Sequence, residues 1–409
     1  MKRFIIRIEA FLRLTIIRYV HDLAAALTAY IAGIYEHPTR FAPDKSVSAL
    51  HAEVASEALK DAGLSLRDID GYFCAGDAPG IGPMSMVEYL GIHPRYVDST
   101  DIGGGSPIAQ VAEAARAIDE GKCDIALITL AGRPRAEGQS PATLTRFREY
   151  PENEFELHFS PALVSRYAMC AQRHMHEYGT TSEQLAWIRV AASHHAQHNP
   201  NALHRNPVSV NDVISSPLIS DPLHRLDCCV VSDGGGAVIV VREEIARSLK
   251  QPLVSLKGAG VALGYKLGVP FDITASVGIE SGSAAYLEAG VSPSDIRYLS
   301  TYDSFTITVL MAIEDLGFCS KGAGGQFVSD GSLISGNGSL AVNTDGGGLC
   351  NNHPAHRGGI TKIIEAVRQL RGEAHPAVQL PDLALAMVHG TGGTLDQRQG
   401  CATIILERE

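Results

Sequence analysis

The sequence of 409 residues has few cysteines and a deficit of positive charge. Its 34 Lys and Arg residues stand against 45 Asp and Glu residues, and the net charge of −11 argues against broad nucleic-acid binding. Eight cysteines without a C-x-x-C pair are too sparse for a disulfide scaffold and do not form a zinc motif. We therefore predict buried or surface thiols in a reducing cytoplasm, with no bound metal and no bound cofactor.

The sequence also lacks a hydrophobic run long enough to cross a bilayer. Leu23–Tyr35 is uncharged but has only 13 residues, whereas a transmembrane helix needs about 20. Residues 1–22 combine basic and apolar side chains, and no clear A-x-A cleavage site follows a hydrophobic segment. We predict no membrane span and interpret residues 1–22 as an appended or mis-assigned leader. A signal peptide or a membrane-surface anchor is the alternative.

What the sequence does contain is an internal repeat. Residues 62–69, AGLSLRDI, recur as residues 289–296, AGVSPSDI, at an offset of 227 positions. In each copy an alanine-rich run precedes the glycine, which suits the end of a helix, and an apolar strand follows. Residues 234–240, GGGAVIV, similarly resemble residues 400–406, GCATIIL, at an offset of only 165 positions. Two matches in the same order indicate a duplicated fold.

The difference between the two offsets predicts an insertion in the first half. Strand and helix patterns give way to Pro, Arg, His and Asn at about residues 132–225, and we place the extra residues there as an inserted loop domain. The two halves are then residues 23–248 and 249–409. Alternating helices and short apolar strands predict an α/β protein with helices on both faces of its sheets.

Four motifs carry a resemblance to a known family. They are L-D-C-C-V-V-S-D-G at 226–234, Y-D-S-F at 302–305, N-x-x-G-G…N-H-P at 343–354 and H-G-T-G-G at 389–393. In this order, from about residue 27 to 409, the chain resembles the thiolase superfamily, and in particular thiolases of the sterol-carrier-protein type. The resemblance implies the thiolase fold, in which two duplicated βαβ-type halves form five layers, αβαβα, with the inserted loop domain attached.

The position of the thiolase nucleophile holds no thiol. Counting back from residues 118–121, the family's cysteine position falls at Gly104, within a glycine triplet that Ser106 follows. We interpret Ser106 as the N-cap of the helix that continues from Pro107, with a serine nucleophile as the alternative. Without the cysteine, the acyl-enzyme of ordinary thiolases cannot form.

Three side chains remain for acid–base chemistry. His353 keeps the family position and is expected to donate to a thioester or hydroxyl oxygen. Tyr302 replaces the residue that orients an oxyanion-hole water, and its phenol would donate or, as a phenolate, accept a proton. His389 occupies roughly the place of the second catalytic cysteine, where it would move a proton. We interpret these three as catalytic, with structural hydrogen bonding or core packing as the alternative for each. The predicted substrate-binding residues are Gly104, Gly105, Ser106, Asp303, Gly346, Gly347, Gly392 and Gly393.

Glycine at the nucleophile position and tyrosine in the Y-D-x-F motif together resemble the lipid-transfer-protein aldolases of bacterial steroid side-chain degradation. This resemblance implies retro-aldol cleavage of a β-hydroxyacyl-CoA through a thioester enolate, with coenzyme A present only as part of the substrate. It also implies a homodimer, formed on an edge strand near residues 96–102, and a small partner subunit with an OB fold and a zinc ribbon. Those aldolases have a second tyrosine where this chain has His353, so the acyl group and the direction of reaction stay open. The alternatives are an acetyl-CoA acyltransferase and a non-catalytic lipid- or acyl-CoA-binding homologue.

Overall fold

The structure, a computed structural model, describes residues 27–75, 78–139, 162–265, 272–354, 358–393 and 398–409. The predicted leader at residues 1–22 and residues 140–161 of the predicted loop domain lie outside this part of the chain.

Ten strands of the described chain form one sheet with two halves. The strands of the first half are β1 (Ala29–Glu36), β2 (Gly71–Cys74), β3 (Tyr96–Ser99), β4 (Ile125–Gly132) and β7 (Gly234–Arg242). Those of the second half are β8 (Val254–Tyr265), β9 (Tyr298–Thr301), β10 (Ala341–Val342), β11 (Leu385–Gly393) and β12 (Arg398–Arg408). A separate hairpin consists of β5 (Leu218–Ser220) and β6 (Leu223–His224).

The two half-sheets have the same topology. Their strand orders are β3-β2-β4-β7-β1 and β10-β9-β11-β12-β8, and each parallel or antiparallel pair of the first has its equivalent in the second. The halves meet where β1 pairs with β8, at Tyr30 and Ser255. An identical order and direction of five strands confirms the predicted duplication.

Helices separate and cover the half-sheets. In the first half they are α1 (Val47–Ala62), α2 (Pro83–Leu90) and α3 (Ser106–Asp119), followed by α4 (Leu163–Tyr178), α5 (Ser182–Ala196), α6 (Val210–Ile214) and α7 (Glu243–Ala246). In the second half they are α8 (Gly278–Ala289), α9 (Thr306–Asp315), α10 (Gly324–Phe327) and α11 (Gly359–Arg371). One hydrophobic core encloses α3 and α11 between the half-sheets, and two more cores lie on the outer faces under α1 and under α8 and α9. This gives the predicted five layers.

The repeated sequence has the same structure in both halves. Gly63 ends α1 and Gly290 ends α8, each in the left-handed conformation that glycine adopts without a steric penalty. A 3₁₀ turn follows in each half, and its serine hydroxyl donates to the aspartate three residues later, at 2.8 Å for Ser65 and 2.7 Å for Ser292. The sequence match therefore reflects one local structure, used twice.

The insertion lies between β4 and β7, as predicted, whereas β11 and β12 of the second half form an antiparallel pair only four residues apart in sequence. Its helices α4 and α5 pack against α9, and Tyr167 contacts Phe305 with ring centroids 4.4 Å apart. The inserted lobe of the first half thus covers the second half, next to the Y-D-S-F motif. The domain limits 23–248 and 249–409 stay predictions.

Candidate active site

Two glycine-rich segments approach each other backbone to backbone at the centre of the molecule. A Cβ atom at Gly103 would lie 2.6 Å from the Cα atom of Gly392, and one at Gly390 would lie 2.7 Å from the carbonyl oxygen of Gly104. No real side chain tolerates such distances. The glycines at 103–105 and 390–393 therefore serve close packing of the N-terminus of α3 against the end of β11.

The aromatic ring of Tyr302 occupies the space in front of Gly104. A Cβ atom at Gly104 would lie 2.7 Å from two ring carbons of Tyr302 and 2.6 Å from the carbonyl oxygen of Thr391. Tyr302 is itself held at the end of β9, where its N–H donates to the His389 carbonyl at 2.9 Å. The position predicted for a nucleophile therefore faces a tyrosine ring, and the backbone leaves no room there for a thiol-bearing side chain.

His353 lies beside that ring. The ring centroids of Tyr302 and His353 are 5.0 Å apart at an interplanar angle of 44°, and both residues are buried. The backbone N–H of His353 donates to the Ser232 hydroxyl at 2.8 Å, and this hydroxyl donates to Asn352 at 2.8 Å. Ser232 belongs to the motif at 226–234, so three of the four motifs meet at one place. The structure brings Gly104, Tyr302 and His353 together, as predicted.

Asn343 fixes the strand end from which Tyr302 projects. Its side-chain oxygen accepts from the Thr301 N–H at 2.8 Å, and its side-chain NH₂ donates to the Thr301 carbonyl at 2.9 Å. The side-chain amide therefore pairs with both backbone groups of Thr301, as a residue of a neighbouring strand would. This explains why asparagine heads the N-x-x-G-G motif, although no role in the site was predicted for it from the sequence.

The carboxylate of Asp303 has its partners inside the protein. Its carboxylate is fully buried and accepts from the Gly348 N–H at 2.7 Å and from the Leu349 N–H at 3.1 Å. A third partner is Lys362 on α11, whose Nζ lies 2.8 Å from Asp303 Oδ1. The carboxylate thus ties the Tyr302 segment to the π-helical turn Gly347–Asn351 that precedes His353, and substrate binding by Asp303 stays a prediction.

Ser106 and the glycines at 346 and 347 also have internal roles. The Ser106 hydroxyl donates to the Gly103 carbonyl at 2.7 Å and accepts from the Ile102 N–H at 2.9 Å, which fixes the glycine triplet. Ser106 was predicted to cap the first N–H groups of the helix. Its hydroxyl instead bonds to backbone groups that precede the helix, those of Ile102 and Gly103. Gly346 and Gly347 both have positive φ angles, 97° and 62°, at the start of the π-helical turn.

The side chain of His389 lies on the other face of the sheet, so the prediction that it joins Tyr302 and His353 is wrong. Since Gly390 faces Gly104, the preceding residue of the strand must face α8, and its Nε2 lies 3.4 Å from the Cβ position of Gly278. His389 Nδ1 contacts the Thr403 hydroxyl at 2.8 Å, and Nε2 has no hydrogen-bond partner among the described residues. Burial lowers the pKa of His389 to about 4, so this imidazole is neutral at physiological pH.

The cysteines nearest in sequence to the motifs are poorly suited to nucleophilic chemistry. Burial raises the pKa of the Cys350 thiol to about 11, and it also raises the pKa of Cys229. A thiol attacks as the thiolate, so these groups are almost unreactive at neutral pH. All eight cysteines are free.

Comparison with known proteins identifies the family. The thiolase C-terminal domain-like family matches residues 266–408. The chain is 34% identical over 360 residues to the steroid side-chain-cleaving aldolase of Thermomonospora curvata, a match that covers 84% of this chain and 90% of the relative. It is 32% identical over 362 residues to an acetyl-CoA acetyltransferase of Methanothermobacter thermautotrophicus, over 86% of this chain and 92% of the relative. The solved structure of an Ltp2-ChsH2(DUF35) aldolase matches with a TM-score of 0.82 and 32% identity, over 94% of this chain and 99% of that chain.

The chain therefore belongs to the thiolase superfamily. These similarities confirm the predicted thiolase fold, the predicted branch near the aldolases and the predicted class, a thiolase-superfamily enzyme. Among the described residues, none of the helices has the length and apolar character needed to traverse a bilayer.

Proposed function

We propose that this enzyme cleaves a 3-hydroxyacyl-CoA by a retro-aldol reaction, without an acyl-enzyme intermediate. The observation that carries the proposal is the tyrosine ring in front of Gly104, which fills the place of a nucleophilic side chain. Relatives named steroid side-chain-cleaving aldolase and 17-hydroxy-3-oxo-4-pregnene-20-carboxyl-CoA lyase support a steroid or lipid side-chain thioester as substrate. Coenzyme A enters as part of that substrate.

Tyr302 and His353 share the proton transfers in this mechanism. A base takes the proton of the 3-hydroxyl group, the bond between C2 and C3 breaks, and C3 becomes a carbonyl. The electron pair of the broken bond forms the thioester enolate, and a proton then adds to C2 to release a shortened acyl-CoA. Tyr302 is the residue that exchanges the hydroxyl proton, and His353 donates toward the thioester oxygen, where negative charge develops. Their ring separation of 5.0 Å lets both contact one substrate.

The test compares tyrosine variants on a 3-hydroxyacyl-CoA with a steroid or branched side chain. Tyr302→Phe keeps the packing of the ring and removes only the hydroxyl, so turnover should fall by roughly 10² to 10⁴, the usual effect of losing a positioned acid or base. Tyr286→Phe is the matched control, because the Tyr286 hydroxyl donates to the Leu316 carbonyl at 3.1 Å on the outer side of the second half-sheet. Full activity of Tyr302→Phe, or a stable acyl adduct in the intact mass after incubation with acyl-CoA, would return the enzyme to the acyltransferases.

We further propose that the chain works as a homodimer with a small partner subunit. Strand β3 is at the edge of the sheet formed by the described residues and has no second partner strand among them, and its Val97 side chain is 43% exposed. Such an edge can pair with a second copy. The similar aldolase structure is named for two components, Ltp2 and ChsH2, which supports a partner, and the OB fold and zinc ribbon stay a proposal for this chain. Light scattering on the purified chain should give twice 43.5 kDa. A monomer at micromolar concentration would contradict the dimer.

A further inference from the structure

Lys362 lies in the interior and is almost completely shielded from solvent. It occupies the first turn of α11, in the layer between the half-sheets, and only 1% of its side chain is exposed. Burying an ammonium group is costly unless a partner compensates it, and here the Asp303 carboxylate lies 2.8 Å away. Burial alone would lower the pKa of Lys362, but the carboxylates of Asp303 and Asp345 raise it overall. The lysine is therefore charged at neutral pH.

The charge of Lys362 matters because its partner, the Asp303 carboxylate, accepts hydrogen bonds from the backbone of the turn before His353. An ionised carboxylate accepts hydrogen bonds at both oxygens, whereas a protonated one presents an O–H group that opposes an N–H donor. Asp303 accepts from two backbone N–H groups, those of Gly348 and Leu349. A Cβ atom at Gly348 would lie 2.9 Å from the His353 ring, so the position of this turn decides where the ring lies.

We propose that Lys362 is a positioning residue of the active site: its ion pair with Asp303 holds the turn that precedes His353 and thereby fixes His353 against Tyr302. Tyr302 immediately precedes Asp303 in the chain, and His353 follows the turn that Asp303 holds. One ion pair thus sets the distance between the two groups that move protons. The functional part of this inference rests on the proposed lyase activity. Among the residues that the structure describes, the other charged and titratable groups near the pair are Glu36, Cys229, Tyr302, Asp345, Cys350 and His353.

The test removes the lysine charge and then the charge that it compensates. In Lys362→Met the Asp303 carboxyl loses its partner and takes up a proton, so turnover at neutral pH should fall about 10²-fold, as expected for a misplacement of about 1 Å. Turnover of this variant should rise again at alkaline pH, where the carboxyl ionises. In the double variant Lys362→Met/Asp303→Asn neither substituted side chain titrates, and the low turnover should no longer depend on pH in this way.

The control is Lys321→Met, which removes the ion pairs of a partly buried lysine outside the site, with Asp315 at 2.6 Å and with Glu314 at 3.2 Å. It should lower the free energy of unfolding, but the pH dependence of its turnover should equal that of the unaltered enzyme. If Lys362→Met lowers turnover by one constant factor at every pH, Lys362 has only a structural role and the inference is wrong.

A second readout does not require activity. Without lysine, the buried carboxyl stays protonated in the folded protein while the unfolded chain ionises near pH 4. The loss of unfolding free energy in Lys362→Met should therefore grow as the pH rises, and Asp303→Asn should abolish this growth. If no 3-hydroxyacyl-CoA is cleaved by the unaltered enzyme but this dependence appears, the proposed function fails and the role of the ion pair stands. Absence of the dependence overturns the role of the ion pair whatever the activity.

Discussion

A methyl group added at Gly104 tests the central feature of this site. In Gly104→Ala the new carbon would lie 2.7 Å from the Tyr302 ring and 2.6 Å from the Thr391 carbonyl oxygen, whereas ordinary contacts begin at about 3.4 Å. The overlap is about 0.7 Å, and the carbonyl belongs to a strand that cannot yield. We expect the ring to move by up to about 1 Å, with a loss of about 1–3 kcal/mol of unfolding free energy, the usual cost of overpacking. Turnover should fall on the order of 10²-fold.

The assay combines denaturant unfolding with turnover of a 3-hydroxyacyl-CoA. Gly282→Ala is the matched control, because its new methyl would lie 2.6 Å from the end of the flexible Leu316 side chain, on the outer helix α8. It should change stability little and leave turnover intact. Combining Gly104→Ala with Tyr302→Ala should relieve the clash with the ring. Tyr302→Ala should therefore lower the unfolding free energy less in the Gly104→Ala protein than in the wild type. Wild-type stability and wild-type turnover in Gly104→Ala would refute the steric argument.

Two further predictions concern buried titrating groups. Because the pKa of His389 falls from 6.5 to about 4 on folding, the unfolded chain binds more protons and stability is lost as pH falls from about 6.5 to 4. His389→Asn should flatten that part of the stability curve, which spans up to about 3 kcal/mol, and should change turnover far less than Tyr302→Phe. Burial and the nearby Asp345 raise the pKa of Glu365 to about 7, so this carboxyl costs stability as pH rises from about 4.5 to 7. The difference in unfolding free energy between Glu365→Gln and the wild type should therefore shift in favour of the variant between pH 5 and pH 8, on the order of 1–3 kcal/mol. Unfolding curves at several pH values check both.

Much of the fold could be predicted because the evidence for it is local. The repeat at residues 62–69 and 289–296 ends a helix and opens a 3₁₀ turn in each copy, so the same short-range forces act twice. The motif order likewise predicted that Gly104, Tyr302 and His353 meet. In contrast, the face of β11 on which the His389 side chain lies depends on whether residue 389 or residue 390 points inward. Because side chains alternate along a strand, an alignment shifted by one residue places His389 on the opposite face.

Lys362 was missed for a different reason. On α11 the apolar residues Ile360, Ile363, Ile364 and Val367 alternate with charged ones, a pattern that predicts one solvated face. In the fold that second face is buried as well, because α11 lies between the half-sheets and meets the end of β1 at Glu36 and the loops that carry Asp303 and Asp345. Periodicity reports which residues share a face, but the partners of a charged face come from distant parts of the chain. The strongest sequence signal would have been a lysine between apolar residues just after the motif at 343–354.

The two chemistries of the superfamily exclude each other in this backbone. A cysteine at 104 needs at least the space of a Cβ atom, and this space belongs to the Tyr302 ring, whose own position is fixed by Asn343 through Thr301 and by the His389 carbonyl. Restoring the thiol alone would therefore displace the group proposed to move the proton, and the enzyme would lose one chemistry before gaining the other. A smaller residue at 302 and a shift of the Thr391 carbonyl have to accompany the cysteine. In the proposed mechanism the reaction type thus depends on more than one position, with at least one on each half of the duplicated fold.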